Sequence, residues 1–312
     1  MARYLSWRLL AAIPTLLAII TLSFLLLRAA PGGPFAREKE MLPEIRARIE
    51  HSYHLDESLA AQYTHYLGQL LRGDLGPSFQ YPGVSVNELI AKGLPVDLSI
   101  GGLALLLACL VGIPAGAWAA WHHGGWLDRG VGLLSLVGIS VPVYVTAPLL
   151  ILLFAVMLQW LPAGDWGGGA PRNLVLPVLA MALPYMAYVT RIVRAGMLDT
   201  LRQPFIRAAR AKGLSASAVL FRHALRPSLV PLVAFLGPAV VGAITGSIVI
   251  ENTFGLPGIG QHFVNGAFNR DYTLVMGVTI LYGAMIVAAN VAVDILQAWM
   301  DPRVRLAAGQ LR

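Results

Sequence analysis

Long stretches without charge constrain this chain more than any other feature of it. Apolar runs cover about Leu9–Leu27, Leu98–Ala120, Val131–Leu158, Leu174–Val189, Leu229–Ile250 and Leu274–Leu296. A helix needs about 20 mostly apolar residues to cross the hydrocarbon core of a bilayer. Backbone groups in lipid must be satisfied within the spanning structure, so these runs predict six transmembrane helices. Alternation at β-barrel spacing is absent. The fourth run is short and holds Pro177 and Pro184, which leaves its limits the least defined.

Composition leads to the same class. The chain of 312 residues is 57% hydrophobic and 12% charged, against about 25% charged in a soluble domain. Lysine occurs only at Lys39, Lys92 and Lys212. The net charge of +7 sits in loops rather than on one soluble face, which argues against a nucleic-acid partner. The single cysteine, Cys109, lies in an apolar run and excludes an intrachain disulfide. Arg3 and Arg8 precede an uncharged stretch too long for a signal-peptide core, so the first run is expected to stay as an uncleaved span.

Basic residues set the expected orientation. Between Arg191 and Arg226 there are eight Lys or Arg residues and one acid, Asp199. Arg3, Arg8, Arg129, Arg303, Arg305 and Arg312 fall on the same side of a six-span chain. The opposite loops are balanced or acidic: Asp165 with Arg172, then Glu251 and Asp271 with Arg270. Both termini are therefore expected in the cytoplasm. The long mixed segment after the first span is expected outside, because long loops translocate largely regardless of charge.

Within the basic loop, Gln203–Gly213 predicts a short helix, with Pro204 in its first turn and Gly213 just past its end. Helical spacing places Phe205, Ile206, Ala208 and Ala209 on one face, with Arg207 and Arg210 on the other. Ser215 can cap a second helix, SASAVLFRHALRP, which Pro227 is expected to interrupt before the fifth span. A helix–glycine–helix elbow of this kind can pass movement between a soluble partner and the spans. The competing reading is that its charges fix topology or touch anionic lipid.

The residues also bear on three other function classes. No G-x-x-x-x-G-K-[ST] loop occurs, so the chain has no phosphate cradle of its own. An ion-coupled carrier would place ionisable groups at mid-membrane. Here Asp97 and Glu251 fall at external span ends and Asp294 near the cytoplasmic end of the last span, where a gating role is an alternative to a helix-end contact. An intramembrane metalloenzyme would want a helix-borne His pair with a carboxylate. His122 and His123 are adjacent in a short loop and read as polar loop residues. Gly112–Gly116 and Gly242–Gly246 have the spacing of closely approaching helices. Pro114, Pro142, Pro148, Pro231 and Pro238 permit kinks. Glu251–Tyr272 is rich in glycine and aromatics; Phe254, Leu256 and Phe263 are candidates for an external gate or receptor contact.

RAARAKG resembles the EAA loop of binding-protein-dependent ABC importer permeases. Arg207, Ala208, Ala209 and Gly213 match its spacing, with Arg in place of the leading Glu. ARAKGLS followed by RHALRP is similar to the dipeptide/oligopeptide/nickel family. So are YHLDESLAAQY, LRGDLGPSFQY and the stretch from GPAVVGAITGSIVIENTFGLPGIGQHFVNGAFNRDYTLV to DPRVR, in the order of oligopeptide permease B subunits. The resemblance implies a type I ABC importer permease fold and import of oligopeptides, with dipeptide or nickel import as the alternative. It divides the chain into a transmembrane anchor at 1–28, an extracytoplasmic segment at 29–93, a permease core at 94–301 and a cytoplasmic tail at 302–312. It also implies a second homologous permease subunit, two cytoplasmic ABC ATPase subunits, an extracytoplasmic peptide-binding protein and a bacterial inner-membrane location. ATP and Mg would be used by the ATPases, with no cofactor bound by this chain. Phe205–Gly213 would be the coupling helix.

Overall fold

The computed structural model describes residues 2–29, 51, 55–245 and 248–300, with side chains from residue 10 onward. Arg3, Arg8, Gly246, the tail at 302–312 and residues 30–50 and 52–54 of the segment at 29–93 therefore lie outside the described residues or side chains. The described chain is helical, with one isolated bridge between Pro77 and Ser85. In chain order the principal helices are α1 (Ala2–Ala29), α2 (Leu59–Leu71), α3 (Val86–Trp121), α4 (Trp126–Ser140) and α5 (Val143–Leu150). They continue with α6 (Pro171–Leu201), α7 (Pro204–Ala211), α8 (Val230–Thr245), α9 (Ile248–Phe254), α10 (Ile259–Asn269) and α11 (Tyr272–Met300).

Among the described residues five helical stretches are long and apolar enough to span a membrane: Leu10–Ala29, Val86–Trp121, Pro171–Leu201, Val230–Phe254 and Tyr272–Met300. A sixth exists only if a bent pair counts as one. Trp126–Ser140 and Val143–Met157 meet at 101°, so the run Val131–Leu158 is not one straight helix as expected. The cause is Pro142, which lacks an amide hydrogen and forces the preceding residue out of helical geometry. Val141 and Pro142 are both extended, with ψ of 117° and 149°. The fourth run is also corrected, because α6 continues well past Val189 to Leu201. Arg191 and Arg194 end the apolar pattern, but the helix persists because Val193, Met197 and Thr200 remain buried beyond them.

The chain forms two compact units. The first comprises Met1–Leu10, Val96–Pro257 and Met285–Arg312; the second comprises Ala11–Pro95 and Gly258–Ala284. In the first unit α6 is central, in contact with α4, α5, α8 and α9. One apolar cluster gathers Val96, Ile100, Leu176, Met181, Ile250 and Phe254; another gathers Val189, Val193, Met197, Ile206 and Val219. Helices α3 and α6 approach backbone to backbone. A Cβ placed on Gly116 would stand 2.5 Å from the Thr190 carbonyl oxygen, and one on Gly112 would stand 2.8 Å from Val189 Cγ1. Asp97 and Glu251, expected at span ends, lie inside α3 and α9 and are 5% and 2% exposed. Leu133, Leu134, Leu136, Val156 and Met157 face outward, as lipid-facing side chains do.

In the second unit Asp271 does the organising. It is fully buried and caps α11, accepting from the Leu274 amide at 3.1 Å and the Thr273 hydroxyl at 3.0 Å. Its other oxygen accepts from the Ser78 hydroxyl and from the Gln80 amide. One carboxylate thus satisfies a helix start and a loop nearly 200 positions away in sequence. Nearby, α10 carries His262, whose ring meets the Tyr81 ring edge-on at 5.9 Å. Burial lowers its pKa, and its Nδ1 has no hydrogen-bond partner among the described residues.

Two predictions follow from these packings. Gly116→Val should destabilise the first unit by about 1–3 kcal/mol through overpacking, read as a lower unfolding temperature in detergent; an unchanged midpoint would refute the close approach. His262 binds its proton less readily folded than unfolded, so acidification through about pH 6.5 protonates the unfolded state first and stability falls. Protection factors at 259–284, corrected for the intrinsic slowing of exchange in acid, should fall below that pH in the wild type, and His262→Leu should flatten the dependence.

Candidate functional site

The elbow begins where α6 ends. Gln203 is extended and Pro204 takes the first helical position of α7, where its missing amide hydrogen costs nothing. At the other end the Gly213 amide donates to the Arg210 carbonyl at 2.9 Å and the Leu214 amide to Ala209 at 3.4 Å. This paired closure requires a left-handed residue, and Gly213 has φ of +76°. Ser215 then accepts from the Ala218 amide at 3.3 Å and starts the next helical stretch.

That stretch is irregular. Ala216–Ala218 passes into a π-turn at Val219–Ala224 and then Leu225–Ser228. Pro227 does not interrupt it, contrary to expectation. The widened turn ends upstream of the proline, and the break falls at Leu229, ahead of α8.

The expected single face of α7 is divided. Ile206 is fully buried and Ala209 is 7% exposed, both packed with Val193, Met197, Val219 and Ala224. Phe205 is 46% exposed, and Arg207, Ala208, Lys212 and Gly213 are exposed as well. The four residues span a wide arc of the helix, and α6 covers only the part that carries Ile206 and Ala209. The short helix is thus fastened on one side and open on the other.

The basic residues around the elbow also have partners. Arg194 of α6 grips Asp128 of α4 through two nitrogens, Nε at 2.5 Å and Nη2 at 2.8 Å. Asp128 is 5% exposed and also accepts from the Gly124 amide at 3.0 Å, with His123 Nδ1 at 3.0 Å. The Arg210 guanidinium lies 5.8 Å from the Trp121 ring at the end of α3, and that of Arg226 lies 5.7 Å from Trp299 near the end of α11. His123, expected to be only a polar loop residue, belongs to the Asp128 cluster. Asp128 was missed; the clue was that it is the single acid in the loop HHGGWLDRG.

The candidate gate residues are placed differently. Phe254 and Leu256 are each 1% exposed inside the first unit, packed in its apolar cluster. Their contacts with the apolar cluster explain that burial. Phe263 is partly buried in the second unit, against Tyr282. Within the first unit Val143, Met181, Tyr185, Tyr188, Gly242 and Ile250 help to line a cavity of about 270 Å³.

Comparison with known proteins fits this architecture. Residues 112–306 match the family described as binding-protein-dependent transport system inner membrane component, and residues 1–100 match that family's N-terminal region. The oligopeptide transport system permease protein OppB of Salmonella typhimurium strain LT2 is 48% identical over 305 residues, covering 98% of this chain and 100% of that one. OppB of Haemophilus influenzae shows the same identity and coverage. The dipeptide transport system permease protein DppB of Bacillus subtilis strain 168 is 39% identical, covering 98% and 99%. A solved chain of the inward-facing MetNI methionine ABC transporter aligns with a TM-score of 0.55 at 17% identity, covering 68% of this chain and 96% of that one. The chain belongs to the family of binding-protein-dependent transport system inner membrane components.

The Asp128–Arg194 pair makes a clear energetic prediction. Arg194→Met should cost about 1–3 kcal/mol, because it leaves a buried carboxylate with only the Gly124 amide and His123 as partners. Adding Asp128→Leu should restore much of the loss. Unfolding midpoints for the two single variants and the double variant measure the coupling; additive losses would count against it.

Proposed function

We propose that this chain is a permease subunit of an ABC importer that moves oligopeptides delivered by an extracytoplasmic binding protein. Support for the substrate class is the 48% identity with OppB proteins over nearly the whole chain, against 39% for the DppB protein. Dipeptide import is the second reading, weaker on that measure. The chain carries no phosphate-cradling loop, so ATP and Mg are used by two cytoplasmic ATPase subunits. A second homologous permease subunit completes the membrane assembly.

The observation that carries the coupling role is the divided surface of α7. Phe205, Arg207 and Ala208 face outward and would meet the ATPase; Ala209, with Ile206, anchors the helix to α6. Gly213 sets the elbow's angle through its positive φ. Movement of the partner would then reach α6 without a flexible link. The spans of two permease subunits would alternate between outward and inward access, with the cavity beside Tyr185 and Tyr188 as part of the path. This places the elbow and both termini in the cytoplasm. It keeps the division into an anchor at 1–28, an external segment at 29–93, a core at 94–301 and a tail at 302–312.

Reconstitution in liposomes with the second permease, the ATPases and the binding protein tests the reading. Uptake of a labelled oligopeptide should require ATP and the binding protein; uptake by this chain alone without ATP would sink it. Phe205→Asp should lower ATPase retention on the purified complex by roughly tenfold, equivalent to about 1.4 kcal/mol. Gly213→Leu should preserve assembly while uncoupling ATP hydrolysis from uptake. Normal transport by both variants would remove the case for the elbow.

A further inference from the structure

The second unit holds a partly open cavity of about 170 Å³ that the transport reading does not use. Its polar wall comes from two helices. Arg28 stands in the last turn of α1. Gln62, His65, Tyr66 and Gln69 line the cavity from α2, at the three- and four-residue spacing of one helix face. Phe24 and Met276 add apolar wall.

Two polar atoms of residues in this wall are unmet among the described residues. Gln62 is 8% exposed and Tyr66 is 7% exposed. The Gln62 amide nitrogen donates to the carbonyls of Leu55 and Glu57 at 3.1 and 2.8 Å, which fixes the amide's orientation. Its Oε1 and the Tyr66 hydroxyl are buried without a hydrogen-bond partner among the described residues. Leaving such groups unpaired is costly, and a small ligand can recover that cost. Oε1 requires a donor; the tyrosine hydroxyl can donate to an anion. The Arg28 guanidinium rests on the rings of Phe24 and Tyr272, at 5.5 and 6.0 Å, and no described carboxylate pairs with it. The wall therefore offers a cation, and its side chains hold a hydroxyl donor and an amide acceptor that a ligand reaches by displacing the atoms now enclosing them.

The position of Arg28 identifies the source of such a ligand. The apolar stretch Leu10–Ala29 has 20 residues, and about 1.5 Å per residue makes it as long as the hydrocarbon core is thick. Arg28 at its end stands at headgroup level, where long cationic side chains extend to the interface. Only 11% of that stretch is buried by protein, so its surface is open to lipid.

We propose that this cavity binds the headgroup of a glycerophospholipid whose phosphate is joined to a hydrogen-bond donor, either ammonium or hydroxyl. The phosphate lies against Arg28 and the Tyr66 hydroxyl, and the donor reaches Gln62 Oε1. Phosphatidylethanolamine and phosphatidylglycerol have both groups. Phosphatidylcholine has the phosphate but no N–H or O–H donor, so the site discriminates against it.

Native mass spectrometry of the full chain in mild detergent, titrated with each lipid, tests this. Phosphatidylethanolamine and phosphatidylglycerol should be retained roughly tenfold better than phosphatidylcholine with the same acyl chains, the scale of one buried hydrogen bond. Gln62→Met should erase that preference, and Arg28→Gln should weaken all three lipids. Tyr66→Phe, which keeps the ring, should weaken retention even if Gln62→Met does not fold. Equal retention of the three lipids by the wild type overturns the proposal, as does retention of none, which would leave the cavity to water. Displacement of bound lipid by free glycerophosphoethanolamine at equal concentration would assign the site to a soluble ligand and overturn the lipid source.

Discussion

A peptide group in hydrocarbon has no water to bond, and this requirement governs where the chain can be regular and where it can break. Long helices satisfy their own amides, which is why the proline-free Tyr272–Met300 runs uninterrupted. Departures occur where proline has already removed a donor or where a polar side chain replaces the missing bond. The 101° bend follows Pro142, and the start of α11 is closed by the buried carboxylate of Asp271. The elbow follows the same rule, with proline at the start of α7 and a left-handed glycine beyond its end.

Once the helices are formed, small residues decide how near they come. Hydrophobic burial gives little drive between helices already in lipid, so close packing has to supply it. Gly112 and Gly116 bring α3 against the backbone of α6. The same α6 carries Arg194 to Asp128 and Met197 to the underside of α7. A single helix therefore links the apolar interior of the first unit to the exposed surface of the elbow. That continuity supports a coupling role more directly than charge does.

Much of this was legible in the residues. The apolar runs and the deficit of charge were enough for an all-helical membrane protein, and Pro204 with Gly213 located α7 to within a residue. Two kinds of feature escaped. Helical spacing alone could not say that Ile206 and Ala209 face inward while Phe205 and Ala208 do not, because α6 decides which part of the arc is covered. Partners distant in sequence were equally hidden: Asp128 with Arg194, and Asp271 with Ser78, are joined only by tertiary packing. Basic residues read as signs of topology proved to be held as well, Arg210 on Trp121 and Arg226 on Trp299. The burial of Phe254 and Leu256 was hidden for the same reason, since a loop composition does not reveal what lies beneath it.

The pairing of Asp128 with Arg194 has an electrical consequence. A unit charge carried across a full membrane potential exchanges about 2.3 kcal/mol per 100 mV with the field. The guanidinium and the carboxylate are held by two hydrogen bonds, at 2.5 and 2.8 Å, so the pair displaced as a unit moves no net charge. The voltage across the membrane does almost no work on such a step. The pair adds no voltage dependence of its own to a shift of α6.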